Sequence, residues 1–199
     1  MYLGKDRKLN RWMGYDYSMP GTYFVTICTQ DRVCHFGDVI NGNMILNEIG
    51  EIVKKQWLWL PENFGFVELD EWEIMPNHLH GIIEIINENY FRSIGNGTTV
   101  GNGRDGKIFD EYDNVGNVLE RSLHDADNTK ILPLYRIVGA FKTTSSKMIR
   151  MIGRCDFQWQ KSFHDRVIRN EKELNNIRYY IQQNPAKWAE DRNNPKNIK

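Results

Sequence analysis

The chain has 199 residues, 26 basic and 26 acidic side chains, and 40% apolar residues. This composition argues against global disorder, and no apolar run approaches the about 20 residues that cross a bilayer. The N-terminus lacks the apolar core of a signal peptide, so we expect a cytoplasmic protein without membrane attachment. The length predicts a single domain over residues 1–199.

The distribution of charge and the spacing of the cysteines indicate further what kind of protein this is. Residues 134–199 carry 14 basic and 6 acidic side chains, whereas the preceding residues are net acidic. A basic C-terminal third is typical of phosphate-backbone binding, although a solvated helical face gives the same count. The three cysteines have neither CxxC nor disulfide-framework spacing, which indicates a reducing compartment and excludes a cysteine-based zinc site.

The first half of the chain predicts strands around one helix. Residues 23–29 are rich in β-branched and aromatic side chains, which predicts a buried strand, and Asn41-Gly42 predicts a hairpin turn. An amphipathic helix is expected to begin at Asn47 and end by Pro61. Residues 66–74 and 79–86 predict two adjacent antiparallel strands separated by a short break.

The second half begins with a Gly- and Asn-rich stretch, residues 87–130, which predicts a flexible insertion. A basic amphipathic helix follows over 134–151, then an extended stretch over 157–168. Asn170 and Glu173 form a capping-box pattern, so the last helix should start near Glu171 and end around Asn184, before Pro185. We expect a frayed tail beyond Trp188. Together these elements predict an α+β ferredoxin-like sandwich, with helices packed on a central antiparallel sheet.

Two groups of polar residues suggest chemistry. His78 and His80 are two apart on a strand, so both imidazoles can face one ion, although a strand-end pair can also serve packing alone. On the last helix Tyr180 and Asn184 are four apart and share a face, which brings a phenol and an amide oxygen together. A tyrosine on an amphipathic helix can equally be a core or rim residue.

Three ordered motifs, PNHLHGII, YRIVGAFKTTSSKMI and WQKSFHDRVIRNEKELNNIRYYIQQNPAKW, resemble the REP-associated tyrosine transposases. These belong to the single-tyrosine HUH transposase superfamily, and the resemblance runs from about residue 23 to 188 outside the insertion. It implies an HUH fold and metal-dependent cleavage and strand transfer of single-stranded DNA at hairpin-forming repeats. The tyrosine would form a 5′-phosphotyrosine bond and leave a free 3′-hydroxyl.

Transferred to this chain, the resemblance implies Tyr180 as nucleophile and His78, His80 and Asn184 as metal ligands. Gln183 is the nearest substitute for Asn184, and family alignment favours Tyr180 over Tyr179. Two imidazoles and an amide oxygen suit Mg²⁺ or Mn²⁺ better than a closed zinc centre. The protein is expected to act on single-stranded or hairpin DNA as a monomer or homodimer.

Phosphate contacts are predicted from the basic third of the chain, with Trp159 or Trp188 stacking on unpaired bases. The predicted DNA-binding residues are Lys142, Lys147, Arg150, Arg166, Arg169 and Arg178. Two alternatives keep the fold and change the activity. One is a catalytically silent hairpin-binding protein, and the other is a metal-dependent nuclease that uses activated water.

Overall fold

A computed structural model describes residues 19–86 and 132–197, so the predicted insertion at 87–130 lies outside the described residues. Two short 3-10 turns lie at Gln30–Arg32 and Pro195–Asn197. The other elements in chain order are β1 (Gly21–Cys28), β2 (Gly37–Ile40), β3 (Asn43–Leu46), α1 (Glu48–Asn63), β4 (Val67–Met75), β5 (His78–Ile85), α2 (Leu134–Met151), β6 (His164–Ile168), α3 (Glu171–Gln183) and a 3-10 helix at Pro185–Glu190.

The central sheet has the strand order β4-β5-β1-β6, and all three neighbouring pairs are antiparallel. With α1 between β1 and β4 and α2 between β5 and β6, the connectivity is the split βαβ repeat of a ferredoxin-like fold. The predicted α+β class is therefore confirmed. The hairpin β2–β3 forms a separate two-stranded sheet, and its turn residues Asn41 and Gly42 have φ of 52° and 77°, as a two-residue hairpin loop of this type requires.

Helices α1 and α2 contact each other, and α1 also packs on the sheet. Trp57 of α1 is fully buried against Gly81 of β5, where an added Cβ would lie 2.4 Å from the Trp57 ring. Phe141 of α2 meets the same indole edge-on, with ring centroids 5.3 Å apart. The main hydrophobic core therefore lies between these two helices and one face of the sheet. Helix α3 and the residues that follow it lie on the opposite face of the sheet.

Three sequence expectations need correction. Helix α1 continues through Pro61 to Asn63 instead of ending at the proline. A proline inside a helix removes one backbone donor and costs about 3 kcal/mol, and the burial of Trp57 and Leu60 in the same part of the helix opposes that cost. Trp159, one of the two predicted base-stacking residues, is only 8% exposed and donates from Nε1 to Ser145 Oγ at 3.0 Å, so it is a core residue.

The third correction concerns residues 185–197, here called the C-terminal segment, which were expected to be partly frayed. The side chains of Asn193 and Asn194 are buried, and Asn194 Nδ2 donates to the carbonyl of Trp188 at 2.9 Å. Asn197 Nδ2 donates back to the carbonyls of Ala189 and Asp191. Polar side chains thus replace apolar ones in ordering this segment, which is why hydrophobic periodicity did not predict it.

Among the described helices none is both long enough and apolar enough to span a bilayer.

Candidate active site

His78 and His80 lie side by side on β5, on the face turned away from α1. Neighbouring residues of a strand point to opposite faces, and Gly81 faces Trp57, so His80 must face the other way. The two imidazoles are essentially fully buried, with ring centroids 4.5 Å apart and Nε2 atoms 3.1 Å apart. Two ring nitrogens therefore converge on one point, as the HxH spacing predicts.

The other ring nitrogen of each histidine has its own partner. His78 Nδ1 lies 2.9 Å from Asn77 Oδ1, and His80 Nδ1 lies 2.8 Å from Thr26 Oγ1 on β1. Such outer contacts orient an imidazole and set which nitrogen can face a metal. Neither partner was predictable from the sequence, because each depends on a side-chain contact that the strand pattern alone does not specify.

Tyr180 reaches the histidines from α3. Its hydroxyl lies 3.3 Å from His80 Nε2, although the two residues are 100 positions apart in the chain. Phe24 of β1 stacks on His80 and meets the Tyr180 ring edge-on. Tyr180 is 45% exposed, so its phenol remains accessible to a substrate although it contacts the buried imidazole. Its neighbour Tyr179 is 61% exposed.

Helix α3 is fixed to β4 by two polar contacts that flank the tyrosine. Arg178 binds the Asp70 carboxylate in a bidentate pair with N–O distances of 2.9 and 2.5 Å. Gln182 Nε2 donates to Glu71 Oε2 at 2.9 Å. Asp70 and Glu71 occupy an irregularity in β4 between Leu69 and Trp72, where a bulge turns side chains out of the strand alternation.

Two residues with oxygen donors lie at and after the C-terminal end of α3. Asn184 is 4% exposed, and its Oδ1 is buried with no hydrogen-bond partner among the described residues. Asp191 Oδ2 lies 3.8 Å from His78 Nε2, and the donor atoms of His78, His80 and Asp191 all lie within 4.8 Å of one another. Asp191 was missed from sequence because it lies in the segment that was expected to fray.

Burial dominates the electrostatics of this cluster. It lowers the pKa of His80 to about 3 and that of His78 well below its ordinary value, with the positive charge of Arg192 acting in the same direction on both. Both imidazoles are therefore neutral near pH 7. Burial also raises the pKa of the Tyr180 phenol, with the Asp191 carboxylate adding to the effect, and the Asn184 hydrogen bond opposes it.

The donor set fits a divalent cation. Two neutral imidazoles and a carboxylate supply nitrogen and oxygen ligands, and no thiolate is among them. The Asn184 amide oxygen, which the sequence predicts as a ligand, is buried and unpaired among the described residues. An unpaired buried oxygen costs free energy unless it finds a partner, and a bound cation would be one. The residues present could thus hold such an ion, with Asp191 as an acidic donor absent from the sequence prediction.

The residues predicted to bind DNA are distributed over the basic third. Lys142 Nζ donates to the carbonyls of Gln160 and Ser162, and burial lowers its pKa to about 8. Arg166 pairs with Glu173 at 2.6 Å, and Arg178 is held by Asp70. Arg150 and Arg169 are exposed and Lys147 is half-buried. Of these, Arg166 lies opposite Phe24 in the sheet and so shares the face that carries Tyr180.

No protein-family model matches the chain. An uncharacterized protein of Haemophilus influenzae is 35% identical over 185 residues, which cover 93% of this chain and 91% of the relative. A solved structure of a REP-associated tyrosine transposase bound to a REP hairpin matches 89% of this chain and 73% of its own chain, with a TM-score of 0.50 and 16% identity. This structural likeness shows a shared fold.

Proposed function

Because the chain belongs to the same family as the uncharacterized Haemophilus influenzae protein and shares its fold with a REP-associated tyrosine transposase, we propose that it is a metal-dependent single-strand DNA transesterase. Tyr180 is the proposed nucleophile, and His78, His80 and Asn184 are proposed metal ligands, with Asp191 as an additional donor. The proposed substrate is hairpin-forming single-stranded DNA, as in the REP hairpin complex of the structural neighbour.

The observation that carries this proposal is the 3.3 Å contact between the Tyr180 hydroxyl and His80 Nε2. This contact supports the proposal, because a nucleophile must lie beside the groups that bind the electrophile. Phe24 meets the Tyr180 ring edge-on and so packs against the same phenol.

In the proposed step the Tyr180 oxygen forms a bond to phosphorus and the bond between phosphorus and the 3′-oxygen breaks. The phenol releases one proton and the departing 3′-oxygen takes one up, so no water or nucleotide is consumed. A phenol, with an ordinary pKa of about 10, is a better leaving group than an alcohol, so a 3′-hydroxyl can later reverse the bond. This favours strand transfer over hydrolysis.

A divalent cation bound here would stabilise negative charge on the phosphate oxygens. The residues of the chain supply the ligands and position the nucleophile in this proposal. His78 and His80 supply neutral nitrogens, because burial keeps their pKa low. Phe24 packs edge-on against the Tyr180 ring and limits its movement. We propose Mg²⁺ or Mn²⁺ as the ion, since mixed nitrogen and oxygen donors accept either.

The test is incubation with single-stranded hairpin DNA labelled at its 3′ end, in the presence of Mn²⁺, followed by a denaturing gel. The hairpin is taken from genomic repeats that flank the coding region. We expect label on the wild-type protein and on the matched control Tyr179→Phe. Tyr180→Phe should abolish the labelled protein band, because it removes the attacking oxygen.

Other results would contradict the proposal in distinguishable ways. Labelled protein in Tyr180→Phe would exclude Tyr180 as nucleophile. Cleaved DNA without labelled protein in all three proteins would indicate hydrolysis by activated water. DNA that is bound but not cut by the wild type would indicate a hairpin-binding protein without catalytic activity.

A further inference from the structure

Asn77 precedes the two histidines and is fully buried. Its side-chain amide has three hydrogen bonds. Nδ2 donates to the backbone carbonyls of Arg32 and Asn193, each at 2.8 Å, and Oδ1 faces His78 Nδ1 at 2.9 Å. One side chain therefore links the turn after β1, the first histidine and the C-terminal segment.

These contacts determine the proton position on His78. Carbonyl oxygens only accept, so the two contacts to carbonyls identify the nitrogen end of the Asn77 amide, and the oxygen end must face the imidazole. An amide oxygen also only accepts, which requires His78 Nδ1 to carry the proton. His78 Nε2 then carries a lone pair, directed toward His80 Nε2 and the Asp191 carboxylate.

Thr26 imposes no such choice on His80. A hydroxyl can donate or accept, so its contact with His80 Nδ1 is compatible with either tautomer. In the metal-free protein His80 can donate from Nε2 to His78, and with a cation bound it can take the Nδ1–H form. The fixed member of the pair is therefore His78, and Asn77 is the residue that fixes it.

The Asn77 amide also holds two backbone segments, the turn after β1 and the C-terminal segment. Asp31 and Arg32 have φ of 54° and 55°, a left-handed conformation that costs free energy for residues other than glycine. The Arg32 carbonyl in that turn is held by Asn77, and Arg32 Nη1 donates in turn to the carbonyl of Arg192. Asn77 and Arg32 thereby attach the backbone on the C-terminal side of Asp191 to the turn.

We propose that Asn77 is a positioning residue for the cation site: it fixes the Nδ1–H tautomer of His78 and holds residues 191–193 so that Asp191 faces the same point as His78. The inference rests on the proposed function, because it assigns a role within that metal site. Asn77 itself contacts neither substrate nor cation.

Two substitutions separate the two roles. Asn77→Ala removes the acceptor for His78 and both donors to the carbonyls. Asn77→Asp keeps an acceptor for His78 Nδ1–H but places a carboxylate against the carbonyls of Arg32 and Asn193, which releases the C-terminal segment. Asn63→Ala, at the exposed end of α1, is the matched control.

The first readout is the histidine tautomer, measured by long-range ¹H–¹⁵N NMR on metal-free protein at pH 7, with His78→Gln used to assign the His78 signals. We expect Nδ1–H at His78 in the wild type, in Asn63→Ala and in Asn77→Asp, and loss of this preference in Asn77→Ala. An Nε2–H tautomer at His78 in the wild type would overturn the inference without any variant.

The second readout is Mn²⁺ binding by calorimetry. We expect both Asn77 variants to bind at least about tenfold more weakly than wild type, the usual range for loss of an outer partner of a ligand being about 10–100-fold. Unchanged affinity for Mn²⁺ in both Asn77→Ala and Asn77→Asp would overturn the inference about Asn77 and leave the proposed function standing. A wild type that binds no Mn²⁺ or forms no DNA adduct would instead overturn the proposed function, and the NMR result would still show whether Asn77 fixes the tautomer of His78.

Discussion

At the scale of single residues, the proposed cation site has two candidate oxygen donors of different charge, the Asn184 amide and the Asp191 carboxylate. Asn184 Oδ1 is buried without a hydrogen-bond partner in the described part of the chain, whereas Asp191 lies 3.8 Å from His78 Nε2. A carboxylate adds a full negative charge close to a bound cation, in surroundings of low dielectric where such charges interact strongly. Asp191, which directly follows the 3-10 helix Pro185–Glu190, should therefore contribute strongly to cation affinity.

We predict that Asp191→Asn weakens Mn²⁺ binding by about tenfold or more, because it removes that charge while keeping the shape of the side chain. Calorimetry of the full-length protein measures the effect. Asp38→Asn, on the exposed face of the β2–β3 hairpin, is the control and should leave the affinity unchanged. Equal affinities for Asp191→Asn and wild type would remove Asp191 from the site.

At the scale of secondary-structure elements, the position of Tyr180 depends on how α3 is attached to β4. Arg178 holds the pKa of the Asp70 carboxyl below its ordinary value, mainly through their hydrogen bonds. A carboxyl whose pKa is lowered by folding stabilises the fold above its unfolded pKa, near 4, and loses that contribution as the pH falls through the folded pKa. The attachment of α3 should therefore weaken in acid.

We predict that Asp70→Asn lowers the free energy of unfolding by about 1 kcal/mol at pH 7, a modest value because both side chains are partly exposed. The difference from wild type should shrink between pH 4 and pH 2, where the wild-type carboxyl becomes protonated. Urea unfolding at pH 7 and at low pH measures this. A difference that does not change with pH would show that charge on Asp70 does not matter to the attachment.

The packing of α1 on the sheet gives a second prediction at this scale. A Cβ at Gly81 would lie 2.4 Å from the Trp57 ring, which is itself buried against Phe141 and cannot retreat freely. We expect Gly81→Ala to destabilise the protein by about 1–3 kcal/mol, as overpacking usually does. Thermal or urea unfolding provides the measurement.

Gly139→Ala on α2 is the matched control, because nothing lies within 4 Å of its added Cβ. Alanine is favoured over glycine inside a helix by about 1 kcal/mol, so this control should be neutral or stabilising. If Gly81→Ala were equally well tolerated, the close approach of Trp57 to β5 would be contradicted.

For the whole molecule, the parts that were predictable from sequence are those set by local patterns. Strand and helix periodicity predicted the ferredoxin-like order, and the capping pair Asn170 and Glu173 predicted the start of α3, where Asn170 Oδ1 accepts from the Glu173 amide. The HxH spacing predicted that two imidazoles would meet. Each of these depends on residues a few positions apart.

Two important contacts that local patterns could not predict join distant segments through polar groups. Asp191 approaches His78 only because the C-terminal segment folds back, and Arg178, predicted as a phosphate contact, is paired with Asp70 across 108 residues. Hydrophobic periodicity carries no information on such pairs. The predicted roles of the six basic residues in DNA binding remain predictions, as does a monomeric or dimeric state.

In the proposed reaction Tyr180 becomes covalently joined to DNA. Trypsin cleaves after Arg178 and Lys187, so Tyr179, Tyr180 and Asn184 fall on one peptide. After incubation with hairpin DNA and Mn²⁺ and digestion with nuclease and trypsin, tandem mass spectrometry of this peptide should show a 5′-phosphonucleotide on Tyr180. The same added mass on Tyr179, or only unmodified peptide when the DNA has been cut, would exclude Tyr180 as the nucleophile.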